Sequence, residues 1–351
     1  MDTLIQLLHS AKELFPVEVA LTLGTVFFAL SWIRPRSTVQ LPSRKQAALP
    51  LFLWGIVSAL LVLGIGTTTS WIAASNPMHV DWDAWWQRPL PLFATAALLL
   101  VVALPLRLAG VPAPGHRAIT PRRRWWEFTP RTLLWITAIT GTLGLLTAGW
   151  QILIGVSVPS DGDRYGIGSI PTDLPAFGRF QDGMGYYWGA GWPNHLLTLV
   201  ALLLCAIALP LALDAGANRP APVDALAAEV RVSREAAART MTLFALGGIL
   251  LTLGAVWAFV GFVGEIIVGV DGLAASPGEL VTIGTGYRDV ARPLHWAGYI
   301  VQGIGAALLM RLAVDLVRSF VSGRRAEARA VASSAVGVGV GGGIARAEGE
   351  Q

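Results

Sequence analysis

Residues 46–80 carry no charged side chain, and five further uncharged runs follow at 89–106, 132–160, 183–213, 240–264 and 293–310. Such runs leave little choice of fold. Lipid offers no partners to a polypeptide backbone, so a crossing segment must be a helix that satisfies its own amides. The hydrocarbon core, about 30 Å thick, takes about 20 largely apolar residues per crossing. The sequence therefore predicts an all-α, polytopic transmembrane bundle of seven spans, near 14–33, 47–74, 89–109, 132–156, 194–214, 241–264 and 294–318. The first of these is the shortest: Glu18 lies inside it and its uncharged core covers only 19–33, so an interfacial helix is the alternative there. Residues 1–13 have no basic n-region and no small-residue cleavage site follows, which argues against a signal peptide.

Charge then orients the chain. The 26 basic and 22 acidic residues give a net charge of +4 and a pI near 9.6, which in a soluble protein would suggest a polyanionic partner. Here the charges are sorted by loop. Residues 34–46, 107–131, 214–240 and 311–351 hold twenty of the basic side chains, and the alternate loops hold Lys12, Arg88, Arg164, Arg179, Arg288 and Arg292. Basic residues stay on the cytoplasmic side, so the bias predicts a cell-membrane protein with its N-terminus extracytoplasmic and its C-terminus cytoplasmic. Dropping the first span leaves every other loop on the same side. Arg122-Arg123-Arg124-Trp125-Trp126 reads as an inner-leaflet anchor, with cations at the headgroups and indoles at the interface; nucleic-acid binding is not indicated. The single Cys205 excludes an intramolecular disulfide.

Spans two to seven read as one helical hairpin used three times. Val62-Leu63-Gly64, Thr142-Leu143-Gly144 and Thr252-Leu253-Gly254 occupy matching places, and each glycine is followed four residues later by Thr68, Ala148 or Ala258. Small residues at that spacing allow close helix contact in lipid, so all three sites are expected to be packing seams. The second helix of each pair opens on Arg88-Pro89-Leu90-Pro91, Trp192-Pro193-Asn194-His195 or Arg292-Pro293-Leu294-His295. Proline is favoured in a first helical turn, where its missing N–H would be unpaired anyway. The expected architecture is one leading helix and three parallel hairpins within a transmembrane domain of residues 1–321. Residues 322–351, rich in Gly, Ala, Val, Ser, Arg and Glu, are expected to be a flexible cytoplasmic tail. Residues 220–240 read as a plain connector, the alternative being a short cytoplasmic helix that starts near Asp224, whose carboxylate can cap free amides.

Candidate chemistry gathers in the outward loops. Residues 157–193 combine Asp161, Asp163, Asp173 and Asp182 with Tyr165, Phe177, Phe180, Tyr186, Tyr187, Trp188 and Trp192, a surface suited to a ligand or protein partner or to a folded interfacial cap. Asp161, Asp163 and Gly166 match the start of a calcium loop, but Thr172 stands where a bidentate Glu belongs. His195 and His295 occupy matching places at the outer ends of the fifth and seventh spans. Two imidazoles on neighbouring helices would supply both axial ligands of a b-type haem. Against this, both lie in the first turn of a helix and the first hairpin has Pro91 at that place. Asp81 and Asp83 read as solvated carboxylates beside Trp85 and Trp86, although an outward acidic pair can also serve a lipid-modifying enzyme. Ionisable groups inside the spans are few, which argues against a proton-coupled carrier; Asp315 is expected to pair with Arg311 or Arg318.

The role that follows is a non-enzymatic membrane-embedded subunit or binding protein. It would work through the cap at 157–193, with Tyr186, Tyr187, Trp188 and Trp192 as contact residues and the bilayer and other membrane subunits as partners. The alternatives are a bis-His haem b electron carrier and a carrier for a lipophilic solute.

Overall fold

The computed structural model describes residues 19–33, 39, 41, 45–75, 87–108, 122–156, 177–179, 186–188, 191–220, 226–265, 267–271 and 280–341. Over these the chain forms seven helices: α1 (Val19–Leu30), α2 (Lys45–Ser75), α3 (Leu90–Leu108), α4 (Arg131–Ile154), α5 (Gly191–Ala217), α6 (Ala227–Gly264) and α7 (Arg288–Gly341). Helices α2 to α7 are long and apolar enough to cross a membrane. Over the described residues the leading helix α1 has 12 residues, about 18 Å of rise, less than a crossing takes. Among the described residues the seven expected spans are thus six long helices and a short one.

An all-α reading needs one correction. Between α4 and α5 run β1 (Gly155–Val156), β2 (Phe177–Arg179) and β3 (Tyr186–Trp188), antiparallel, with Val156 opposite Phe177 and Phe177 opposite Trp188. Between α6 and α7, β4 (Ile267–Asp271) pairs with β5 (Leu280–Gly284). Both loops join adjacent helix ends, so each must turn back on itself, and antiparallel pairing satisfies its amides on the way. Two boundaries also differ. Residues 227–240, read as part of a connector, are instead the start of α6, which begins at Ala227 behind an uncapping Leu226; Asp224 lies outside the described residues. The expected flexible tail is helical as far as Gly341, and Ala326–Ala332 in its first part contains alanine, arginine and glutamate, all strong helix formers.

Packing follows the rule for lipid, with small residues inside and large apolar ones outside. Ala59, Ala96, Ala201, Ala208, Ala212 and Ala245 are buried, while Leu60, Leu104, Trp135, Leu146, Leu153 and Leu203 are exposed. Helix α6 is the centre, packed against α2, α3, α4, α5 and α7. Its seam with α7 is built on backbone. A Cβ added to Gly254 would come within 2.6 Å of Gln302 Cα, and one added to Gly298 within 2.6 Å of Ala258 Cα. On another side of α7, Gly24 of α1 packs against Gly303 and Ala306.

The repeated glycine string therefore does not give repeated packing. Gly254 and Ala258 form a true seam, an added Cβ at Gly144 has Leu202 and Leu253 side-chain atoms as its nearest neighbours, and one at Gly64 meets nothing within 4 Å among the described residues. The expectation of three equivalent seams is corrected to one close seam, because only α6 is enclosed on all sides.

One end of the bundle is basic. There Arg123 N–H donates to Asn218 Oδ1 at 2.8 Å and Asn218 Nδ2 donates back to the Arg123 carbonyl at 3.2 Å, tying the segment before α4 to the end of α5. Arg234, from α6, lies over the Phe128 ring and donates to the Arg219 carbonyl. Asn218→Ala should loosen this strap by about 1 kcal/mol, the usual worth of a hydrogen bond, read as faster amide exchange at Arg123 with helix amides unchanged.

Candidate functional site

At the opposite end, where the β ladders lie, polar side chains sink into the bundle. Asn194 and His195 belong to the first turn of α5 and are 0% and 1% exposed. Gly144 of α4 faces Leu202 of α5, so two turns further along α4 and two turns back along antiparallel α5 bring Gln151 level with His195. Gln87 and Arg88 stand just before α3, with the Arg88 guanidinium 3.3 Å over the Phe259 ring of α6 and close enough for its charge to act on His195. Four helices, α3 to α6, thus contribute to one polar cluster.

Hydrogen bonding inside the cluster is incomplete. Both side-chain atoms of Asn194, both ring nitrogens of His195, Nε2 of Gln151 and Oγ1 of Thr252 are buried with no partner among the described residues. Thr198, one turn below, is settled, its hydroxyl donating to the Asn194 carbonyl at 3.0 Å. Thr198 and Thr252 line a cavity of about 10 Å³ with Leu92, Gly144, Leu202, Ile249, Leu253 and Val256. Beneath it Leu99, Ala201, Cys205, Met241 and Phe244 are at most 2% exposed and close the interior toward the basic end.

His295 lives elsewhere. Its Nδ1 donates to the Ala258 carbonyl at 2.8 Å, leaving Nε2 as the acceptor nitrogen, and its ring meets Tyr299 edge-on at 4.9 Å. Residues Gly247, Gly254, Ala258 and Gly261 of α6 face α7, whereas Ile249, Thr252, Leu253 and Val256 face the cavity. At about 100° per residue these are opposite sides of one helix. Helix α5 packs on α3, α4 and α6, and α7 on α1, α2 and α6. Helix α6 thus stands between the helices that carry His195 and His295.

The other expected site residues divide by placement. Tyr186, Tyr187 and Trp188 form β3, of which the backbone alone is described, and Trp192 lies half-buried at the start of α5. Asp161, Asp163, Asp81 and Asp83 lie outside the described residues. Among the described residues no group of three or more His, Cys, Asp or Glu converges on a metal position. Asp315 pairs with Arg311, as its spacing predicts, at 3.2 Å.

Sequence reasoning met Asn194 and Thr252 only within the repeated strings and did not single out Gln151 or Thr198 as site residues. The available signal was the level of Gln151 and Asn194 at the end of one hairpin. The chain matches no family model, no curated protein and no solved structure.

Proposed function

We propose that this chain is a multi-pass protein of the cell membrane, with an extracytoplasmic N-terminus and a cytoplasmic C-terminus, that acts as a non-enzymatic binding subunit through its loop end. The six long helices with a small-residue interior and a Leu- and Trp-rich exterior carry the membrane part of this reading. Orientation rests on charge. Arg123, Arg124, Arg219, Arg231, Arg234, Arg324 and Arg325 belong to the basic end, which the positive-inside bias assigns to the cytoplasm. The binding role rests on the loop end, where the ladder that carries Tyr186, Tyr187 and Trp188 joins α4 to α5.

The native cysteine makes the topology easy to test. Cys205 is buried, and burial in apolar surroundings leaves a thiol inert. An impermeant maleimide applied to intact cells should label Tyr187→Cys at once and Arg123→Cys only after lysis. The reverse pattern would overturn the orientation. Changing Tyr186, Tyr187 and Trp188 together to alanine should strip co-purifying membrane subunits while the detergent-solubilised protein keeps its elution volume; unaltered co-purification would remove the cap from the binding role.

A further inference from the structure

The loop-end cluster is costly unless something fills it. A buried polar group without a hydrogen bond loses several kcal/mol in an apolar environment, and a membrane interior supplies no compensation. Asn194, His195, Gln151 and Thr252 come from three helices and together leave six polar atoms without partners among the described residues. Residues kept polar at such sites are kept for what they hold.

We propose that Gln151, Asn194, His195 and Thr252 form a blind polar well inside the bundle, open to the loop end, that binds a small uncharged solute bearing hydroxyl or carboxamide groups. The chemistry of the unpartnered atoms selects that class. Asn194 Nδ2, Gln151 Nε2 and one ring nitrogen of neutral His195 donate, whereas Asn194 Oδ1 and the other ring nitrogen accept. An anion, though drawn by the Arg88 charge, would face the acceptors with like partial charge, and a cation would face both the donors and Arg88. A hydroxyl or an amide meets both, and water is the smallest molecule that does. Size sets the second limit. The cavity at Thr252 and Thr198 is about 10 Å³, roughly room for one water or one hydroxyl. The floor of Leu99, Ala201 and Phe244 makes the well a binding site closed toward the basic end. This site depends on the chain being membrane-embedded and is independent of whether the cap at 157–193 engages a partner.

The test uses the full chain in proteoliposomes with Cys205→Ala as background. Thr252→Cys should react with methyl methanethiosulfonate about tenfold or more faster than Ala201→Cys on the floor, since a thiol becomes reactive only where water reaches it. Glycerol should slow the Thr252→Cys reaction, whereas the same concentration of sodium acetate should not. A charged, impermeant methanethiosulfonate should reach Gln151→Cys from the side that labels Tyr187→Cys. Equal rates at Thr252→Cys and Ala201→Cys, protection by acetate equal to that by glycerol, or access from the Arg123→Cys side would each overturn the proposal. A measurement on the unsubstituted protein guards against misfolded variants: brief radiolysis in water should oxidise His195 despite its 1% exposure, and an unoxidised His195 would count as refutation. Failure of the topology labelling with successful Thr252→Cys protection would leave the well standing and reverse only the sidedness.

Discussion

Gly254→Leu should prevent α6 and α7 from assembling. A Cβ at Gly254 would press on the backbone of Gln302, 2.6 Å from its Cα and closer still to its nitrogen, so rotating a side chain cannot relieve the clash. The helices would have to part. Overpacking a tight core costs about 1–3 kcal/mol even where side chains can yield, so about 3 kcal/mol or more is expected here. Parting them would also disturb the contact between His295 Nδ1 and the Ala258 carbonyl and the Tyr287 hydroxyl bond to the Val260 carbonyl. The matched control is Gly64→Leu. It alters the same string in the first hairpin, where an added Cβ meets nothing within 4 Å, and should shift stability by no more than about 0.5 kcal/mol. Thermal unfolding in detergent separates the two variants. Equal loss in both would mean that the repeated string, and not the packing around it, governs stability.

Arg311→Ala is the second large effect. Arg311 and Asp315 are 5% and 3% exposed, and Arg311 Nε lies 3.2 Å from both carboxylate oxygens. The same guanidinium stacks 4.0 Å over the Trp32 ring and donates to Ser31 Oγ at 3.3 Å, so it also fastens the end of α1 to α7. Arg318 approaches the same ring at 4.5 Å. Removing one member of a buried ion pair typically costs about 3–5 kcal/mol, much of it the penalty of keeping the other charge desolvated. The single substitution should therefore be severe and should release α1, read as protease cleavage near residue 33. The double change Arg311→Leu with Asp315→Leu should recover most of the stability, because apolar residues of similar volume replace such a pair with little loss. A double mutant as unstable as the single would place the energy in the Trp32 and Ser31 contacts instead.

Both predictions draw on features only half visible in the sequence. The Arg311–Asp315 pair was legible because four residues on a helix bring two side chains to one face wherever the helix sits. Gly254 was legible as a small residue at small-xxx-small spacing, but so was Gly64, and nothing local distinguishes them. The polar cluster was less legible still. Gln151 and Asn194 meet only because α4 and α5 pack with Gly144 against Leu202, a register no single helix contains.

The sequence by itself determined that the chain is a bundle of long apolar helices, roughly where they lie along it, and the sorting of arginines to one end. These follow from length, hydrophobicity and charge, to which lipid and its interfaces respond residue by residue. Only the tertiary structure decided that α6 is central, that one glycine string in three is a close seam, and that α6 stands between the helices that carry His195 and His295. The reason is physical. In a soluble protein the polar–apolar contrast rotates each helix toward the core, but here lipid and interior are both apolar, so the facing of a helix is set by the shapes it meets.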